Sequence, residues 1–170
     1  HPLQSNYRYS SPLFFRWICV RFVGRTRQDE AMKQQKIGQS DLSCTRLSYG
    51  CMRVAGTWNP ADITPSMREK GKQAIVAAYE AGYTLFDHAD IYCRGACESI
   101  HGEVLRDIPS MRKEILIATK CGIRFPGDPN PDSPHRYDFS ASHILESCEK
   151  SLTRLSVDQI DIYQLHRPDL

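Results

Sequence analysis

The sequence has no long hydrophobic run: its one extended apolar stretch, Pro12 to Val23, is interrupted by Arg16 and Arg21. A bilayer-crossing helix needs about 20 apolar residues, so nothing here fits a membrane span. None of the seven cysteines, at positions 19, 44, 51, 93, 97, 121 and 148, falls in a C-x-x-C pair, and an odd number cannot all be bridged. That scatter argues against a disulfide framework and for a reducing, cytoplasmic setting. No N-x-S/T acceptor site occurs, nor does G-x-S-x-G, G-x-x-x-x-G-K-[ST], G-x-G-x-x-G or H-E-x-x-H. The simplest serine-hydrolase, P-loop, Rossmann and zincin readings fall with them. An excess of charge is also missing. The net +2 becomes −1 over residues 32–170 once the +3 of residues 1–31 is set aside, so no basic face argues for nucleic acid.

What is present is an ordinary globular composition, 41% hydrophobic and 25% charged over 170 residues, enough for one domain with a real core. Residues 1–31 stand apart: Arg- and Ser-rich, without sustained periodicity, with the first methionine at Met32. They are expected to be a disordered or non-native extension rather than a targeting peptide. The domain is expected over 32–170.

From Met32 onward the punctuation is regular. "QKIG" and "SCTRLSYG" flank the turn-rich "QSD", which predicts a hairpin leading into a strand that stops at Gly50. Thr64 and Pro65 open a helix as N-cap and first helical residue, and Gly82 closes it. "YTLFD", "EILIATK" and "QIDIYQLH" read as buried strands. "ACESIHGEVLRDI" and the segment after Ser140 read as helices, the latter with a stripe of Leu145, Cys148, Leu152 and Leu155. Apolar strands alternating with helices predict an α/β fold with a parallel, helix-covered sheet. Periodicity alone does not choose between a doubly wound sheet and a (β/α)8 barrel.

The polar residues add to this. Asp87, Lys120 and His166 stand at or just past the C-terminal ends of three successive strands, where a barrel builds its site. Each would cost several kcal/mol if buried without a partner, so a shared pocket explains their placement. His88, Asp90, Cys93, Cys97 and His101 are metal-ligand residue types. Their spacing lacks a second C-x-x-C or H-x₃₋₅-H, and no metal site is expected from it. Cys121, next to Lys120, should point to the opposite face of its strand.

The set "FDHADIY", with Asp87 and Tyr92 five apart, "ATKCG" with Lys120 and "QLHRPD" with His166 resembles the aldo/keto reductase family over about residues 34–170. The resemblance implies a TIM barrel, NADP(H) as cofactor, a small-molecule carbonyl substrate and a catalytic tetrad of Asp87, Tyr92, Lys120 and His166. It also implies cofactor contacts from Gly50, Met52 and Asp87 at strand ends. The chemistry is coherent by itself. Hydride delivery to a carbonyl carbon leaves an alkoxide that needs a nearby acid. One ammonium at about 4 Å in an effective dielectric of about 20 is worth about 4 kcal/mol, the scale needed to make a phenol a usable donor. Only four βα-type strands are legible, against eight in a barrel of about 250 residues. The chain is therefore expected to be the N-terminal half of a longer reductase, poorly active alone. Two other functions compete: a non-catalytic, nucleotide-sensing subunit on the same fold, and a metal-dependent hydrolase using His88, Asp90 and His166.

Overall fold

The computed structural model describes residues 32–167; the extension anticipated over 1–31, and residues 168–170, lie outside the described residues. In chain order the elements are β1 (Gln34–Lys36), β2 (Ser43–Thr45), β3 (Tyr49–Gly50), α1 (Pro65–Glu80), β4 (Leu85–Asp87), α2 (Ala96–Asp107), β5 (Leu116–Cys121), β6 (Ile123–Arg124), β7 (Arg136–Tyr137), α3 (Ala141–Leu155) and β8 (Ile162–Leu165). β1 and β2 form the anticipated antiparallel hairpin. It is tied to the body where the Thr45 amide donates to Thr84 Oγ1 at 2.8 Å.

The helices begin as their caps dictate. The Thr64 hydroxyl accepts from the Met67 amide at 3.2 Å, and the Ser140 hydroxyl accepts from the His143 amide at 3.4 Å. Past α1, Gly82 takes φ +91°, a backbone conformation that glycine adopts without strain.

Four parallel strands pair in the order β3-β4-β5-β8, the order of the chain. A doubly wound sheet reverses its strand order at a switch point; this one does not, and winds in one direction as a barrel does. The register aligns Gly50 with Asp87, Asp87 with Ala118 and Lys120 with Gln164, so the strand ends form one rim. Strand alternation then separates two faces. Phe86, Ile117, Thr119 and Cys121 are buried against the helix layer, with the Phe86 ring 5.0 Å from that of His101 on α2. Leu85, Asp87, Leu116 and Lys120 face the other way and are only half-buried. Cys121 thus lies on the opposite face from Lys120, as expected.

The core between sheet and helices is built from Ile75, Phe86, Ile100, Val104, Met111, Ile117 and Leu155. Two glycines let the helices approach neighbouring backbone closely. A Cβ on Gly71 would sit 2.2 Å from the Val54 carbonyl oxygen, and one on Gly102 would sit 2.2 Å from that of Arg154. The obstacle is backbone in both cases: a side chain at Gly71 would push α1 off the segment after β3, and one at Gly102 would push α2 and α3 apart. Gly102→Ala is expected to cost about 3 kcal/mol, at the upper end of overpacking penalties, read as a lower urea midpoint with an unchanged m-value.

Two details differ from the sequence reading. The buried seam of α3 is His143, Ser147, Ser151 and Leu155, while Leu145 is 64% exposed. The anticipated Leu145–Cys148–Leu152–Leu155 stripe is therefore rotated away from the core at its start. Small serines win the seam because α3 packs closely on α2 at Gly102. The short hairpin β6–β7, pinned by Arg124 to Asp138 at 2.6 Å and to Asp128 at 3.0 Å, carried no apolar alternation to announce it.

Candidate functional site

The site lies on the rim. Beyond β4 the chain continues beside β5: the His88 amide donates to Ala118 O at 2.8 Å and the Asp90 amide to Lys120 O at 3.0 Å. This carries the following 3-10 turn, Tyr92–Gly95, over the end of β5. The turn is held in an unusual conformation. Cys93 and Arg94 both adopt left-handed backbone, at φ +48° and +51°, and Gly95 follows at +86°. Non-glycine residues there cost about 1 kcal/mol or more each. The Arg94 guanidinium stacks over Phe125 at 4.4 Å, and Cys93 is fully buried, which offsets part of that cost.

Three of the four tetrad candidates meet at one ammonium. Lys120 Nζ donates to Asp87 Oδ1 at 2.7 Å and to the His88 carbonyl at 2.7 Å, and it stands 3.5 Å from the Tyr92 hydroxyl. The fourth is adjacent: the His166 ring meets the Tyr92 ring edge-on, centroids 5.9 Å apart. The His166 amide donates to Cys121 O at 2.8 Å, which fixes it just past β8. Burial, together with Lys120 and Arg167, holds the His166 imidazole below its ordinary value. The ring is neutral at neutral pH, and its buried Nδ1 has no protein partner. The cluster therefore presents a phenol, an ammonium neutralised by one carboxylate, and a neutral imidazole around an open edge.

Of the anticipated cofactor residues, Gly50 lies opposite Asp87 in the register, and a Cβ there would meet nothing within 4 Å. Met52, in the 3-10 turn that follows, is 40% exposed. Gly50 thus borders the same rim, and Met52 stands two residues past it.

The residues weighed for a metal divide. His88 and His101 come together, His88 Nε2 lying 2.7 Å from His101 Nδ1, and the third ligand type beside them is Cys51. Asp90, Cys93, Cys97 and His166 do not share that cluster; among the described residues it is the only group so placed.

Sequence reasoning also missed a buried network. Glu98 on α2, fully buried, accepts from Thr119 Oγ1 at 2.6 Å and from Arg154 Nε at 2.7 Å. A signal existed in α2, where Glu98 and His101, three apart, alternate with Cys97, Ile100 and Val104 on the buried side. Near this network, burial and the Glu98 carboxylate push Asp90 up from 3.8 to about 7, and Asp90 Oδ1 is buried without a partner. The folded state thus holds this proton more tightly than the unfolded chain, and folding stability from Asp90 falls as pH rises from about 4 to 7. Asp90→Asn is expected to gain about 2 kcal/mol over the parent above pH 7, after allowance for partial exposure. The gain should vanish near pH 4, as read by urea unfolding across pH.

The chain is 38% identical over 130 residues to the uncharacterized oxidoreductase YcsN of Bacillus subtilis, covering 76% of this chain and 41% of that protein. It is 33% identical over 138 residues to a probable voltage-gated potassium channel subunit beta of Oryza sativa, covering 81% of this chain and 38% of that protein. Among solved structures, the holo form of aldo-keto reductase AKR11C1 from Bacillus halodurans superposes with a TM-score of 0.66 at 32% identity, over 81% of this chain and 41% of that one. The chain spans about two-fifths of the length of these relatives. Its one-directional parallel sheet is accordingly the first part of a TIM barrel. With residues 46–170 matching the model of the aldo/keto reductase family, and a rim of the kind that fold uses for its sites, the chain belongs to the aldo/keto reductase family.

Proposed function

We propose that this chain forms the proton-donating side of an NADPH-dependent reductase that converts an aldehyde or ketone to an alcohol. The observation that carries the reading is the convergence of Tyr92, Lys120 and Asp87 from three separate segments on one ammonium. Tyr92 gives its hydroxyl proton to the oxygen of the reduced carbonyl. Lys120, 3.5 Å away, stabilises the phenolate left behind. Asp87 aims Lys120 by accepting from its Nζ at 2.7 Å, and the neutral His166 ring orients the substrate oxygen by donating a hydrogen bond.

The cofactor reading has a physical basis on the same rim. The space above Gly50 lets a flat ring approach the backbone, and the part-exposed Met52 and Asp87 border it. These three residues would hold the nicotinamide end, which when bound supplies the hydride. A small carbonyl substrate and a cytoplasmic setting belong to this proposal. Among the described residues no helix is long and apolar enough to cross a membrane.

The test is NADPH consumption by the complete gene product with a panel of aldehydes, alongside NADH. Consumption that depends on the aldehyde supports the reading; none with any carbonyl refutes it. The similarity to a channel beta subunit favours a second reading, a non-catalytic nucleotide-sensing subunit. NADPH binding without carbonyl-dependent turnover would select it.

A further inference from the structure

Behind the rim, on the helix side of β4, lies a group of side chains that the proposed reaction does not use. Cys51 opens the 3-10 turn after β3, His88 follows β4, and His101 sits in the middle of α2. All three are fully buried, and each offers a ligand atom within 4.8 Å of the other two. The surroundings are apolar, including Phe86 and Ile100.

The imidazoles are incompletely satisfied. Their facing nitrogens, His88 Nε2 and His101 Nδ1, share one proton across 2.7 Å. Whichever ring holds it, one outer nitrogen is left as an orphan donor and the other as an orphan acceptor. Those outer atoms, His88 Nδ1 and His101 Nε2, are the ones found buried without partners. Each such orphan costs about 1–3 kcal/mol, and an ion held through the facing nitrogens would leave both outer atoms as N–H donors, so what marks this group is the closeness of its three ligand atoms.

We propose that Cys51, His88 and His101 bind one thiophilic d10 cation, Zn²⁺ or Cu⁺. Thiolate and imidazole are the ligands both ions prefer. On binding, the Cys51 thiol gives its proton to solvent and forms a metal–sulfur bond; the ring that held the shared proton loses it from its facing nitrogen and takes one up at its outer nitrogen, so each imidazole stays neutral and donates a lone pair, and no electron is transferred. Burial keeps both rings in that neutral, ligating form. The facing nitrogens need to spread from 2.7 Å to about 3.3 Å to sit on a tetrahedral ion with bonds of about 2.0–2.1 Å.

The two ions differ in what else they need. Cu⁺ is satisfied by three donors. Zn²⁺ takes a fourth, and the candidate is Cys97, a buried thiol in the first turn of α2 that lies outside the three-residue cluster and would have to give up its 3.6 Å contact to the Met52 carbonyl to reach the ion. Either ion joins three segments distant in the chain. It also anchors His88, whose carbonyl accepts from Lys120 at 2.7 Å. The site is structural: its ligands face the helix layer, away from the rim.

The experiment uses the full, reduced, metal-free 170-residue chain. Zn²⁺ and Cu⁺ are titrated separately against chromophoric chelators, and Co²⁺ serves as a spectroscopic probe of the zinc arm. One equivalent per chain is expected in at least one arm, falling in affinity by about 100-fold or more in Cys51→Ser and in His101→Phe. His101→Phe keeps an aromatic ring against Phe86, and His101→Gln provides a second variant; circular dichroism checks that each folds. Loss of the zinc arm alone in Cys97→Ser identifies Zn²⁺ with four protein ligands. Cu⁺ retention in that variant, with no tight zinc in the parent, identifies Cu⁺. Absence of one-to-one binding in both arms overturns the proposal, as does binding unchanged in Cys51→Ser and His101→Phe because other thiols carry it.

Discussion

Tyr92→Phe in the complete gene product is expected to lower carbonyl-reducing kcat by about 10²–10⁴-fold, the range that a positioned general acid contributes, while NADPH affinity changes little. The substitution removes one oxygen and with it the 3.5 Å hydroxyl contact to Lys120, and leaves the ring, whose edge-on contact with His166 and cation–π contact with Lys120 do not need the hydroxyl. The backbone is equally untouched, because the left-handed run begins one residue later, at Cys93. A loss of this size with preserved stability therefore reports the proton donor itself. It is distinguishable from failure of Lys120→Met, which would also free Asp87 and the His88 carbonyl from their shared partner. That variant should lose both turnover and stability. If Tyr92→Phe keeps more than about a tenth of parental kcat, another acid or water delivers the proton, and the role assigned to Tyr92 falls.

Legibility from sequence followed a physical divide. Elements announced by local chemistry were readable: Thr64-Pro65 and Ser140 as helix starts, Gly82 as a stop, and apolar strands reaching Asp87 and Lys120. The strand before His166 forms over Ile162–Leu165, but it is half-buried to exposed where a buried strand was expected, with Leu165 52% exposed. The three candidates that converge on one ammonium could be read because strand ends in register form one rim, and register follows from the parallel order. What stayed hidden depended on packing between helices. The α3 seam of serines in place of leucines follows from close approach at Gly102, which no periodicity encodes. Cys51 could not be matched to His88 and His101 because the three meet only when α2 lies across the ends of β3 and β4. The left-handed pair at Cys93 and Arg94 runs against local preference and is imposed by what surrounds it.

Arg154→Leu is expected to destabilise the chain by about 3–5 kcal/mol, a large part of the stability of an ordinary domain. Glu98 is entirely out of solvent and has two partners, Thr119 and Arg154, of which only the guanidinium carries compensating charge. The path of Arg154 to Glu98 depends on the absence of a side chain at Gly95, where a Cβ would lie 2.6 Å from Arg154 Cδ and Nε. Gly95 closes the turn that begins with Tyr92, and Thr119 precedes Lys120. The ion pair thus fastens the segment of one tetrad candidate to the strand of another. Packing and charge can be separated by a second substitution. If the cost comes from an uncompensated carboxylate, Glu98→Met combined with Arg154→Leu should be more stable than Arg154→Leu alone, since an apolar replacement of a buried pair is often close to neutral. Should urea unfolding show the double variant no better than the single, the guanidinium acts by filling space between α2 and α3, and Glu98 owes its burial to Thr119.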